Sequence, residues 1–227
     1  MFYYFDPTYI LVIIGVIITS IASIRVRTTF NKYSKLANSR GYTSQDVANI
    51  ILKSAGITDV RIERIRGNLS DHYSPKEKVL RLSDTVYGSN SVAAIGVAAH
   101  ECGHAIQHKV GYAPLKLRSV SVPMANIGSW ISWPLIILGI VFGLTPLAQV
   151  GVVFFSFVVL FQLITLPVEF NASRRALKIL EENNILYGEE LSGASRVLRA
   201  AAMTYVAALL SAILQLLRLV LLVNRRK

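Results

Sequence analysis

The stretch Val97-Ala98-Ala99-His100-Glu101-Cys102-Gly103-His104-Ala105 decides how the rest of the chain is read. It carries the pattern H-E-x-x-H inside a segment that otherwise reads as helix. Residues four apart lie one above the other on a helix, so the His100 and His104 imidazoles can reach one metal ion. Glu101 is turned about 100° from His100, near that ion but not on it, where it can hold a water molecule. Imidazole nitrogen suits Zn²⁺, and two such ligands leave room for a third protein ligand and a water. Only 4 His occur in 227 residues, and the clustering of two here favours a metal site over a pair of hydrogen-bonded core histidines. Cys102, the single cysteine, excludes an intrachain disulfide. On a regular helix it projects about 200° from His100, away from the metal.

The hydrophobic content, 53%, is too high for an ordinary soluble chain, and it is concentrated in long runs. The net charge of +11 could suggest nucleic acid, but the basic residues lie beside the apolar runs. That placement is a topology signal, and no nucleic-acid partner is expected.

Residues 8–24 are long enough to cross a bilayer. Ahead of them stand Asp6 and no Lys or Arg, unlike the start of a signal peptide, and Tyr3, Tyr4 and Tyr9 read as an interfacial belt. Arg25, Arg27, Lys32, Lys35 and Arg40 follow, which puts that flank in the cytoplasm. Thr43 or Ser44 caps a short amphipathic helix ended by Gly56. Val60–Glu63 and Lys78–Ser83 read as strands of a small sheet, joined by a polar link from Gly67 to Pro75. Asn90 or Ser91 caps the zinc helix, which runs to about Lys109. Residues 124–143 and 147–168 are two further spans, joined by the uncharged Leu144-Thr145-Pro146 into an antiparallel hairpin. Arg174, Arg175 and Lys178 return the chain to the cytoplasmic side. A last apolar run, about residues 200–223, contains Gln215 and Arg218 and leads to Arg225-Arg226-Lys227. It reads as a crossing, with Arg218 snorkelling, or as an interfacial helix.

The third ligand is less direct. His108 lies about 12 Å along an unbroken helix from His100, too far for one metal. Glu169, at the end of the third span in Leu166-Pro167-Val168-Glu169-Phe170-Asn171-Ala172-Ser173-Arg174-Arg175, is the better candidate. On the residues alone it reads equally as a ligand or as an interfacial Glu near Arg174.

The pairing of His100-Glu101-Cys102-Gly103-His104-Ala105 with Glu169-Phe170-Asn171-Ala172-Ser173 resembles the YugP-type membrane zinc metallopeptidases of bacteria. It is more distantly similar to the HtpX heat-shock protease and the CAAX prenyl proteases. The close likeness also covers Asp71-His72-Tyr73-Ser74-Pro75 and Leu80-Arg81-Leu82-Ser83. It implies Glu169 as third ligand. In the distant relatives the helix of that Glu reads E-x-x-x-D, and here Ser173 replaces the Asp.

The expected fold is a mainly α membrane protein with about four transmembrane helices and a cytoplasmic zincin-like α+β catalytic domain. Residues 1–24 form the N-terminal anchor and 25–122 the catalytic region; 123–168 form the hairpin. Residues 169–199 form a helical segment with the third ligand, and 200–227 a transmembrane or interfacial helix. The expected activity is hydrolysis of peptide bonds in membrane or membrane-proximal proteins, at the cytoplasmic face of a bacterial membrane. His100, His104 and Glu169 would hold one Zn²⁺ per chain, and Glu101 would move the protons. His72, Arg174 and Arg175 are candidate oxyanion donors, Ser173 a support behind a ligand, and the strand around Leu80 a site for strand addition by an extended substrate. Partners would be a polypeptide and the bilayer, with room for a second copy or a regulatory membrane protein. The rival reading is a non-proteolytic membrane adaptor stapled by zinc. Zinc transport is weaker, because no carboxylate or His lies within the spans.

Overall fold

The computed structural model describes residues 6–224. Its helices are α1 (Tyr9–Tyr33), α2 (Ser44–Ser54), α3 (Val92–Lys109), α4 (Ala113–Val141), α5 (Thr145–Glu182) and α6 (Gly188–Asn224). Its strands are β1 (Arg61–Ile65), β2 (His72–Ser74) and β3 (Val79–Ser83). Tyr3, Tyr4 and the basic triplet after Asn224 lie outside the described residues. The protein is mainly helical, and α1, α4, α5 and α6 are each long and apolar enough to cross a membrane. Contacts divide the chain into two units, one holding Ile24–Leu115 with Val168–Met203 and the other holding the remaining apolar helix segments.

In the apolar unit the outward side chains are hydrophobic. Ile13, Val16, Ile17 and Ile21 of α1 and Leu160 and Leu163 of α5 are exposed, a surface suited to lipid rather than water. α4 and α5 form an antiparallel hairpin whose backbones approach at glycines. A Cβ on Gly128 would lie 2.5 Å from the Phe154 carbonyl oxygen, and one on Gly139 would lie 2.5 Å from the Ala148 nitrogen. Small residues at such crossings let helices pack without a hydrophobic driving force. Arg218 of α6 is held by groups at the start of α1. It is buried, with its guanidinium 4.2 Å above the Tyr9 ring and 3.9 Å from the Asp6 carboxylate.

The second unit is built around α3. Thr43 caps α2 in a reciprocal box with Asp46, and Ser91 caps α3 through the Ala94 N–H. Val47, Ala48, Ile51 and Leu52 of α2 bury against the apolar face of α3, together with Leu80 and Leu82 of the sheet. The sheet has the order β1-β3-β2, with β1 parallel and β2 antiparallel to β3. β2 falls inside the segment read from sequence as a polar link; three residues are too few to show alternation. The strand around Leu80 is the central one, with neighbours on both sides, so strand addition cannot occur there.

α3 and α5 cross at Gly103. A Cβ there would sit 2.6 Å from the Ala172 carbonyl oxygen, closer than atoms can pack. At Gly96, by contrast, a Cβ would meet the Ala194 Cβ at an ordinary 3.4 Å. Gly103→Ala is therefore expected to destabilise the protein by about 1–3 kcal/mol through overpacking, despite the better helix propensity of Ala. Gly96→Ala should be neutral or mildly stabilising. Thermal unfolding of the two variants checks the contrast; equal midpoints would remove the close crossing.

Candidate metal centre

His100 and His104 project from one face of α3, and Glu169 projects from α5, in the stretch that meets α3 at the Gly103 crossing. The His100 Nε2 lies 3.3 Å from Glu169 Oε2, and the His104 Nε2 lies 3.5 Å from the same oxygen. The three ligand atoms all fall within 4.8 Å of one another. Two ligands held about 2.1 Å from a tetrahedral zinc stand about 3.4 Å apart, so the spacing fits that ion. The donor set, two imidazoles and a carboxylate, is one that zinc takes in sites that keep an open position.

The electrostatics agree with the geometry. Glu169 is 2% exposed. Burial would raise its pKa, but the imidazoles of His100 and His104 outweigh this and hold it well below the usual carboxylate range. For His104 burial disfavours the cation, while Glu169 and Glu101 more than compensate and raise its pKa. An ionised Glu169 beside the two imidazoles favours a cation at this position.

Each imidazole is held from behind at Nδ1. The His100 Nδ1 is 3.1 Å from the Ser173 hydroxyl, and the His104 Nδ1 is 3.0 Å from Gln107 Oε1. Ser173 thus contacts His100 from the position where the distant relatives carry Asp. Glu101 is turned off the cluster. Its Oε2 accepts a 3.0 Å hydrogen bond from the Tyr73 backbone N–H. Because that N–H points away from β3, it belongs to the outer edge of β2, where an edge strand has a donor to spare. Asp71, just before β2, accepts from the N–H (2.7 Å) and hydroxyl (2.9 Å) of Ser83. Burial, aided slightly by the Glu101 charge, still leaves its pKa raised.

The remaining residues singled out by sequence are spread around this cluster. His72, in β2, donates from Nδ1 to the Ser70 carbonyl at 2.9 Å. Arg175 donates from Nε to Asn171 Oδ1 at 2.8 Å, and Arg174 is exposed on α5. His108 lies on the same unbroken helix as His104 but pairs through Nδ1 with the Tyr73 hydroxyl at 2.9 Å, away from the three-ligand group. Cys102 faces α2, 3.8 Å from the Ala48 carbonyl oxygen, and burial pushes its thiol pKa far up. Two contacts escaped the sequence reading. The Tyr73 N–H is a backbone group with no residue signature. Gln107 had one: it follows His104 by three residues, which places it beside that imidazole.

The comparisons point to zinc. Over residues 8–224 the chain matches the model of a family described as "Putative neutral zinc metallopeptidase". It is 45% identical over 200 residues to the "Putative membrane protease YugP" of Bacillus subtilis (strain 168), covering 88% of this chain and 89% of that protein. No solved structure matches it. The chain, a membrane protein with an H-E-x-x-H helix, belongs to this zinc metallopeptidase family.

Proposed function

We propose that the protein is a membrane zinc endopeptidase that cuts peptide bonds of membrane or membrane-proximal proteins. The observation that carries this reading is the convergence of His100, His104 and Glu169 at zinc spacing with Glu101 beside them but off the ligand set. Bound zinc supplies Lewis acidity toward a water molecule and a scissile carbonyl. Glu101 takes the proton of the attacking water and returns it to the leaving amine, as a carboxylate poised one helical step from the ligands can. The Tyr73 N–H keeps Glu101 on the sheet side of the site, so that its second oxygen is the one presented to water. An oxyanion needs a further donor, and His72 and Arg174 are the groups on β2 and α5 offered for that role. Arg175 is engaged by Asn171 through its Nε.

The unit that carries α3 and the sheet is proposed as the catalytic domain, zincin-like in its pairing of an H-E-x-x-H helix with a small sheet. Its position in the cytoplasm is supported by charge. Arg25, Arg27, Lys32, Lys35 and Arg40 follow the apolar run of α1, and Arg174, Arg175 and Lys178 follow that of α5, while the α4–α5 link is uncharged. Only three ligands gather among the described residues, which leaves a position open for catalysis and speaks against a purely structural staple.

Purified protein in detergent is expected to hold one Zn²⁺ per chain. His104→Ala and Glu169→Gln should weaken binding strongly, whereas His108→Ala should leave it largely intact. Glu101→Gln should keep the metal and abolish cleavage, and peptides that accumulate in membranes of cells carrying it identify substrates. Retention of metal in His104→Ala, or of cleavage in Glu101→Gln, contradicts the reading. For orientation, single cysteines at the exposed Lys35 and Leu144 positions, on a Cys102→Ala background, can be labelled in intact cells with an impermeant reagent. Label is expected at position 144 and not at 35; the reverse places the site outside the cell.

A further inference from the structure

Gln107 is fully buried, and its side-chain amide faces three groups. Its Nε2 lies 2.8 Å from the backbone carbonyl oxygen of Val168 and 3.0 Å from Asn171 Oδ1, and its Oε1 lies 3.0 Å from His104 Nδ1. We propose that Gln107 is the positioning residue of the metal site. It fixes His104 in the tautomer that binds metal and ties that ligand to the part of α5 that carries Glu169. The inference rests on the zinc reading above.

The direction of every bond in this network is forced. The Val168 carbonyl can only accept, so the Gln107 NH₂ must face it. Arg175 can only donate, and its Nε points at Asn171 at 2.8 Å, so Asn171 turns its oxygen to Arg175. That same oxygen faces Gln107 and again requires the NH₂ there. With both amide hydrogens used, Gln107 has only its oxygen left for His104. The His104 Nδ1 must then carry a hydrogen, so that in the neutral imidazole it is Nε2 that presents a lone pair. That Nε2 is the atom 3.5 Å from Glu169 Oε2. Ser173 behind His100 does not impose this, because a hydroxyl can either donate or accept. The tautomer of one ligand is thus set by the fold before metal arrives, and that of the other is left to the metal.

The same amide also sets a distance. The Val168 carbonyl belongs to the peptide that leads into Glu169. One side chain therefore holds an α3 ligand from behind and grips the backbone of α5 beside the other ligand. Groups that hold a metal-binding imidazole in this way usually change metal affinity by about 10–100-fold when removed.

The test is zinc affinity of the full-length protein in detergent, with the absorption spectrum of the Co²⁺-loaded form as a report on ligand geometry. Gln107→Met keeps the volume and removes all three bonds. Gln107→Glu keeps an acceptor oxygen for His104 Nδ1–H but loses the donors to Val168 and Asn171. Val47→Ala, in the core away from the ligands, supplies a destabilised comparator, with the unfolding midpoint of each metal-free protein recorded. Zinc binding by Gln107→Met is expected to weaken about 10–100-fold, with an altered Co²⁺ spectrum, while Gln107→Glu recovers part of both. Wild-type affinity in Gln107→Met overturns the proposal. So does a loss no greater than that of the comparator at equal stability, or equal losses in Gln107→Met and Gln107→Glu. Failure of the wild-type protein to bind zinc at all would instead strike the metallopeptidase reading itself.

Discussion

The site depends on how closely two helices can approach. At Gly103 the backbone of α3 meets the Ala172 carbonyl of α5 with no room for a side chain. One residue beyond Gly103 on α3 is His104; three residues before Ala172 on α5 is Glu169. A helix–helix separation larger by even an ångström would pull the carboxylate out of reach of the imidazoles, because metal–ligand distances tolerate only about 0.2 Å. Ala99, one turn before Gly103 on α3, and Ala172 and Ala176 of α5 are small and buried, which suits so close a crossing. Packing fixes where the candidate ligands stand, already at a spacing that could hold a metal.

That spacing has an electrostatic consequence. A carboxylate as buried as Glu169 is costly unless it is paired, and its Oε2 lies 3.3 Å from the His100 Nε2 and 3.5 Å from the His104 Nε2. A cation held between these atoms would sit directly against that carboxylate charge. Glu101, one residue along α3 from His100, lives differently. Its oxygen is held by a single backbone N–H at the sheet edge rather than by the ligand cluster. The two carboxylates thus stand in different surroundings, which suits the proposed division in which Glu169 binds metal and Glu101 moves protons.

Much of this was legible from the sequence wherever the signal was local and periodic. The H-E-x-x-H spacing, the Thr43 and Ser91 caps and the long apolar runs each state their consequence within a few residues. Glu169 was not legible by spacing, since 65 residues separate it from His104 and only the helix crossing brings them together; its candidacy came from its family likeness. β2 was missed because three residues cannot establish a period. Strand order was also out of reach, so the central place of β3 could not be foreseen. The pairing of Arg218 with Asp6 and Tyr9 needed two ends of the chain to meet. Gln107 was the avoidable omission: a polar residue one turn after a ligand invites the question of what it holds.

The most direct test of the central claim, that two imidazoles and one carboxylate hold the metal, is X-ray absorption at the zinc edge of the loaded protein in detergent. The account predicts two imidazole nitrogens and oxygen neighbours, all at about 2.0–2.2 Å, with no sulfur. A sulfur neighbour at about 2.3 Å would bring in Cys102, and a third imidazole would bring in His72 or His108. Either result would contradict the ligand set on which the account stands.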